Sequence, residues 1–158
     1  MNVGIITVSD RASSGEYEDH GGPALQAEAD KRKWTVIADA VVPDDREKIK
    51  EVINAFEAQG CSLILTTGGT GITERDVTPE AVRDIMRVEI DGFGELMRMR
   101  SVEVTPNAIL SRGLAAVVGN SLVITLPGKP KGAVECLEFV EGAIPHTVKL
   151  CAGEPTSC

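Results

Sequence analysis

The sequence predicts an α/β fold, with a mixed, mostly parallel sheet covered by helices on both faces. Three observations carry this. Short β-branched apolar runs alternate with helix-patterned segments, the order expected of strand–helix–strand units. A glycine-centred signal, Gly119-Asn120-Ser121, sits between two apolar runs and predicts one hairpin, which makes the sheet mixed. The length of 158 residues suits a single domain over residues 1–158 with a core of its own.

The elements follow in order. Val3-Gly4-Ile5-Ile6-Thr7-Val8 reads as a buried strand, and residues 11–20, polar and holding Gly15, as a loop. Gly21-Gly22-Pro23 opens a helix, with proline suited to its first turn. Residues 36–42 form a second strand, stopped by Pro43-Asp44-Asp45. Those aspartates suit a helix start, and Ile49, Val52, Ile53 and Phe56 continue it at helical spacing until Gly60. Residues 61–66 are a third strand and residues 67–78 a glycine-rich loop. Thr78 is the expected cap of the next helix, with Pro79 in its first position and Glu80 in its first turn. A further helix covers residues 93–102. Strands at 114–118 and 122–126 form the hairpin. Leu137, Val140, Ile144, Val148 and Cys151 share one face of a last helix, which Pro145 should kink.

Composition narrows the function. With 16 Lys+Arg against 24 Asp+Glu, the net charge of −8 argues against binding nucleic acid or an anionic membrane. Aromatics make up 3% of the chain, so no stacking platform for bases is expected. The cysteines Cys61, Cys136, Cys151 and Cys158 lack zinc-site spacing; Cys61 and Cys136 read as core and Cys158 as an exposed thiol. No basic leader precedes Asp10 and no apolar run could cross a membrane, so a cytoplasmic location is expected.

The chemistry should lie at the carboxyl ends of the strands, near a switch in strand order. The sharpest signal is Thr66-Thr67-Gly68-Gly69-Thr70-Gly71 and the residues after it. Glycines let backbone N–H groups approach an anion, and the following helix adds its positive end. The loop matches neither a P-loop nor a complete dinucleotide fingerprint. On the glycines alone it reads equally as a tight turn. The donors on Thr66, Thr67, Thr70, Thr73 and Arg75 favour anion binding. Asp76 alone reads as a helix-flanking acid and Asp44 as an N-cap. If they converge at one edge, the pair could hold Mg²⁺ bridging phosphate oxygens. Lys129 and Lys131 sit at a helix start, where positive charge opposes the dipole, which favours an anionic ligand there. Ser101 and the run Ser111-Arg112-Gly113 are polar and could hydrogen-bond a heterocycle, although serine in a helix or turn is usually structural. His20 and His146 read as surface or capping residues.

Three stretches resemble the Mog/MoaB family of molybdenum-cofactor biosynthesis proteins. They are Thr7-Val8-Ser9-Asp10-Arg11-Ala12-Ser13-Ser14-Gly15, Thr66 to Gly71 with Arg75-Asp76-Val77-Thr78-Pro79-Glu80-Ala81, and Leu126-Pro127-Gly128-Lys129-Pro130. The first stretch and Val42-Pro43-Asp44 look closer to the Mog branch. The resemblance implies a three-layer, molybdopterin-binding-like sandwich that assembles as a homotrimer. It also implies a Mg²⁺-dependent nucleotidyltransferase that moves AMP from ATP to the terminal phosphate of molybdopterin and releases pyrophosphate. Asp44 and Asp76 match the family's two essential aspartates, here both catalytic and metal-holding. Thr67, Gly68, Gly69, Thr70, Gly71 and Arg75 would hold the nucleotide, and Ser101, Ser111, Gly128 and Lys129 the pterin substrate. A downstream molybdenum-insertion protein is a further implied partner. The competing readings are a non-catalytic molybdopterin carrier or scaffold of the same family, and a nucleotide-binding regulatory module.

Overall fold

The computed structural model describes residues 1–155; the exposed thiol expected at Cys158 lies outside them. The chain runs β1 (Asn2–Val8), α1 (Asp10–Ser13), α2 (Gly21–Lys31), β2 (Thr35–Val42), α3 (Arg46–Ala58), β3 (Leu63–Thr67), α4 (Thr78–Ile85), β4 (Val88–Glu89) and α5 (Asp91–Val102). After a 3₁₀ turn at Pro106–Leu110 come β5 (Ala115–Val118), β6 (Ser121–Leu126), α6 (Pro130–Val140), a second 3₁₀ turn at Glu141–Ala143 and α7 (Ile144–Cys151).

Six strands form one sheet in the order β2-β1-β3-β6-β5-β4. The first four are parallel; β5 runs antiparallel to β6 through the expected hairpin, and β4 pairs antiparallel to β5. Because successive side chains in a strand point to opposite faces, each apolar run feeds two cores. Ile5, Leu63, Leu65, Leu122 and Ile124 pack against α2, α5, α6 and α7. Ile6, Val8, Ile64 and Val123 pack against α3 and α4. The result is the expected helix–sheet–helix layering. Gly4 belongs to it: a Cβ there would stand 2.5 Å from the Phe56 ring on α3.

Three local expectations need correction. The loop expected at 11–20 contains α1, which begins because the Ser9 hydroxyl accepts from the Ala12 N–H at 3.2 Å. Thr78 does not cap α4 but is its first residue, because its hydroxyl turns back to donate to the Gly68 carbonyl at 3.0 Å. The last helix is divided rather than kinked: α6 stops at Val140, and Pro145 sits in the first turn of α7, where its missing N–H costs nothing. Strand β4, two residues long, carries too short a pattern to be read from sequence. The second strand is an edge strand on which Ile37 and Val41 are 40% and 42% exposed.

Candidate functional site

All four parallel strands end at one edge of the sheet, at Val42, Val8, Thr67 and Leu126. The chain leaves β1 toward β2 on one side and returns as β3 on the other, so the switch in strand order falls between β1 and β3. The loops beyond these strand ends enclose a cavity of about 640 Å³, bordered by Asp10, Asp19, Asp44, residues 67–71, Asp76, Gly128 and Lys129. A second cavity of about 370 Å³ adjoins it, bordered by Met97, Arg98, Ser101, Ser111, Gly113 and Cys136. Thr70, Gly71, Gly128 and Lys129 border both. The parallel register thus brings together four strand-end segments that lie far apart in the chain.

The glycine loop is made of close backbone contacts. Gly68 and Gly69 have φ of +107° and +64°, a region that side chains rarely adopt. A Cβ on Gly68 would stand 2.1 Å from the Val8 carbonyl oxygen. One on Gly69 would meet the Thr78 hydroxyl at 2.3 Å and Asp44 Oδ1 at 3.1 Å, and one on Gly71 would meet Asp76 Oδ2 at 2.8 Å. The same absence of side chains that permits the turn therefore lets the backbone lie against both aspartates. Gly128 continues this packing, with its Cβ position 3.3 Å from Gly68 Cα. Thr67 is buried and donates to the Pro127 carbonyl at 2.8 Å, tying the loop after β3 to the loop after β6. Thr66 is fully buried and borders neither cavity.

Neither aspartate is spent on a helix end. Asp45, not Asp44, caps α3, accepting from the Lys48 N–H at 2.9 Å. Asp44 instead faces Asp10. The Asp10 N–H donates to Asp44 Oδ2 at 2.9 Å, and the Asp44 N–H donates to Asp10 Oδ1 at 3.0 Å. Asp44 Oδ1 has no hydrogen-bond donor among the described residues. Burial raises the Asp44 pKa, the Asp10 N–H opposes this, and the negative charges of Asp10 and Asp76 add to the rise. Asp76 Oδ2 accepts from the Thr73 N–H at 2.8 Å and from its hydroxyl at 2.6 Å. Burial pushes the Asp76 pKa up, but the Thr73 and Gly71 donors and the Arg112 charge outweigh it and leave the pKa lowered. Asp76 is thus held ionised, while Asp44 sits under the repulsion of two neighbouring carboxylates.

The other expected site residues divide. Ser101 and Ser111 both border the second cavity; Ser101 Oγ lies 3.5 Å from Cys136 Sγ, and Ser111 Oγ accepts from the Gly113 N–H at 3.3 Å. Lys129 borders both cavities at the start of α6, whereas Lys131 points to solvent and reaches Glu135 at 3.7 Å. Arg75 stands outside the cavity lining. Its guanidinium grips Asp10 with two bonds, at 2.9 and 2.8 Å, and that contact holds the Asp10 carboxyl below its usual range.

Four residues hold places at the site that their sequence context did not indicate. Asp19 fills the N-terminus of α2, its Oδ1 accepting from the Gly21 and Gly22 N–H groups at 2.9 and 3.1 Å and its Oδ2 from the Thr7 hydroxyl at 2.8 Å. An acid just before Gly21-Gly22-Pro23 was the available signal. Tyr17 and His20, in edge-to-face contact at 5.6 Å, border the first cavity, though histidine and an exposed tyrosine carried no pattern. Arg112 joins three separate segments, and no local spacing announces such a reach.

With this geometry in place, comparison with known proteins gives the family. The model of the family described as "Probable molybdopterin binding domain" matches residues 4–146. The chain belongs to that family. A curated relative from Helicobacter pylori strain J99, named molybdopterin adenylyltransferase, is 44% identical over 156 residues, covering 97% of this chain and 89% of its own length. One of the same name from Escherichia coli K12 is 40% identical, covering 97% of this chain and 86% of its own length. Among solved structures, the molybdopterin biosynthesis enzyme MoaB from Thermus thermophilus superposes with a TM-score of 0.90 at 43% identity, covering 99% of each chain. The tungsten cofactor synthesizing protein MoaB from Pyrococcus furiosus superposes at 0.88 with 31% identity, covering 96% of each chain.

For a member of the molybdopterin-binding family, the second cavity has a telling composition. Among the described residues no aromatic ring borders it. A heterocycle held there would rest on the Met97 thioether, the serines and backbone groups.

Proposed function

We propose that this chain is a molybdopterin adenylyltransferase acting in molybdenum-cofactor biosynthesis, with residues 1–158 working as one molybdopterin-binding-like domain. An oxygen of the terminal phosphate of molybdopterin bonds to the α-phosphorus of ATP, and the bond to the bridging oxygen breaks. Pyrophosphate leaves with that electron pair. The observation that carries the reading is the shared wall at Thr70, Gly71, Gly128 and Lys129, which joins a polar cavity bearing Asp44 and Asp76 to a separate pocket lined by serines. Two reactants bound in adjoining cavities meet at that wall, and transfer between phosphates depends chiefly on such positioning and on charge neutralisation.

The residues take these roles. Thr67, Gly68, Gly69, Thr70 and Gly71 hold the nucleotide through backbone and hydroxyl groups. Ser101, Ser111, Gly128 and Lys129 hold the pterin and its phosphate. Arg75 reaches nucleotide phosphates only by leaving Asp10. Asp44 and Asp76 suit Mg²⁺, which commonly takes one or two carboxylates together with substrate phosphates. The fit rests on the open Asp44 Oδ1 and on carboxylate repulsion that a cation relieves. Bound there, Mg²⁺ supplies charge neutralisation for the phosphate oxygens during transfer.

We also assign a homotrimer, as the family resemblance implies; the partly exposed Ile37 and Val41 on the edge strand offer apolar surface to a neighbour. A cytoplasmic setting and hand-over to a molybdenum-insertion protein complete the reading. Among the described residues no helix is long and apolar enough to cross a membrane.

The deciding experiment follows AMP incorporation into molybdopterin from α-labelled ATP. Incorporation is expected with Mg²⁺ and lost with chelator. Asp76→Asn should keep the fold and pterin binding while abolishing incorporation. Unchanged incorporation by that variant overturns the two-aspartate assignment. Pterin binding with no incorporation by the wild-type chain leaves a carrier.

A further inference from the structure

We propose that Arg112 is a positioning residue that couples the two cavities, so that a ligand in the second organises the carboxylate and glycine loop of the first. This rests on the adenylyl-transfer reading for the identity of the ligands. Four contacts converge on this one residue. Its N–H donates to the Thr70 carbonyl at 2.9 Å. Its guanidinium donates to the Gly71 carbonyl at 2.7 Å and the Asp76 carbonyl at 2.6 Å, and pairs with Glu80 on α4. Thr70 and Gly71 border both cavities, and Asp76 borders the first. On its other side, Ser111 and Gly113 border the second cavity, and Arg98 on α5 holds the Gly113 carbonyl at 2.8 Å.

A ligand seated against Ser111 and Gly113 therefore bears on the two chain neighbours of the residue that sets Thr70, Gly71 and Asp76. The guanidinium suits the task because its planar fork donates in three directions at once; a lysine ammonium is a single point. Arg112 does not touch the reacting atoms. It acts through the placement of the Asp76 turn, and small misplacements of such support weaken metal affinity or activity by about 10–100-fold. Coupling of binding between two sites is reciprocal, so nucleotide should tighten pterin binding by the same factor.

The test is equilibrium titration of a fluorescent ATP analogue with Mg²⁺, with and without molybdopterin. In the wild-type chain, saturating molybdopterin should tighten nucleotide binding about 5-fold or more. Arg112→Lys should bring that ratio close to one and raise the Mg²⁺ needed for half-saturation about 10-fold. Glu80→Gln, which leaves the bonds to Gly71 and Asp76 possible, should lower thermal stability but keep the ratio. A wild-type ratio of one, or an Arg112→Lys variant equal to wild type, overturns the proposal. So does loss of the ratio in both variants in step with their melting temperatures, which marks a merely structural role. Absence of nucleotide binding in the wild-type chain instead overturns the adenylyl-transfer reading itself.

Discussion

Asp10 and Asp44 hold each other by a reciprocal pair of bonds, each backbone N–H donating to the other's carboxylate, at 2.9 and 3.0 Å. The two residues follow adjacent parallel strands, Asp10 at the start of α1 and Asp44 in the loop before α3, so the pairing pins one strand end to its neighbour. It also fixes the orientation of Asp44 without using its Oδ1.

Removing one half of this pair should have a graded cost. Asp10→Ala leaves the half-buried Asp44 N–H without its acceptor and should destabilise the fold by about 1–2 kcal/mol. Asp10→Asn keeps an acceptor oxygen and loses only the exposed pairing with Arg75, so its loss should be smaller. Urea denaturation of both variants checks this, and equal losses would show that the Arg75 pairing, not the exchange with Asp44, carries the stability.

Glycines with positive φ should differ sharply in what they tolerate. Gly15, at +80°, has open space where a Cβ would be, so Gly15→Ala should cost about 1–2 kcal/mol from backbone conformation alone. Gly68→Ala adds a collision with the Val8 carbonyl oxygen, a backbone atom that cannot swing away, and should cost about 3 kcal/mol or more. Matched chemical denaturation curves decide it; similar costs at the two sites would refute the close-packed loop.

Acid stability should carry a signature from Asp84. Hydrogen bonds from Arg46, with Lys50 in support, lower its pKa from 3.8 to about 2 in the folded chain. A depressed folded pKa means that the contribution is complete above the unfolded value. It is lost as pH falls from about 4 through about 2. Asp84→Asn should thus be less stable than wild type at pH 7, and the two should converge near pH 2. A constant gap across that window would remove Asp84 as the cause.

How legible this molecule was depends on the range of the interactions involved. β1, β3 and β6 stand out because continuous apolar runs mark strands buried on both faces. The hairpin and the end of α3 at Gly60 carry local glycine signals. The division between α6 and α7 did not show, because their buried residues keep one helical phase across the break. At the site, Asp44, Asp76 and the glycine loop were visible as segments, yet their convergence depended on four strands being parallel. Asp44 was hardest to weigh: Asp45 beside it takes the capping role that either could fill. Arg112 and Asp19 act over tertiary distances or through a single backbone turn, and neither leaves a repeating pattern.

The wall shared by the two cavities has a consequence for what happens after the reaction. On the proposed function each substrate would hold to one side of it, whereas the joined product would hold to both at once. Release would then require two sets of contacts to open together, since either half left in place returns the other at high effective concentration. Turnover would be governed by departure, and the chain would serve as a reservoir for its own product until a successor draws it away.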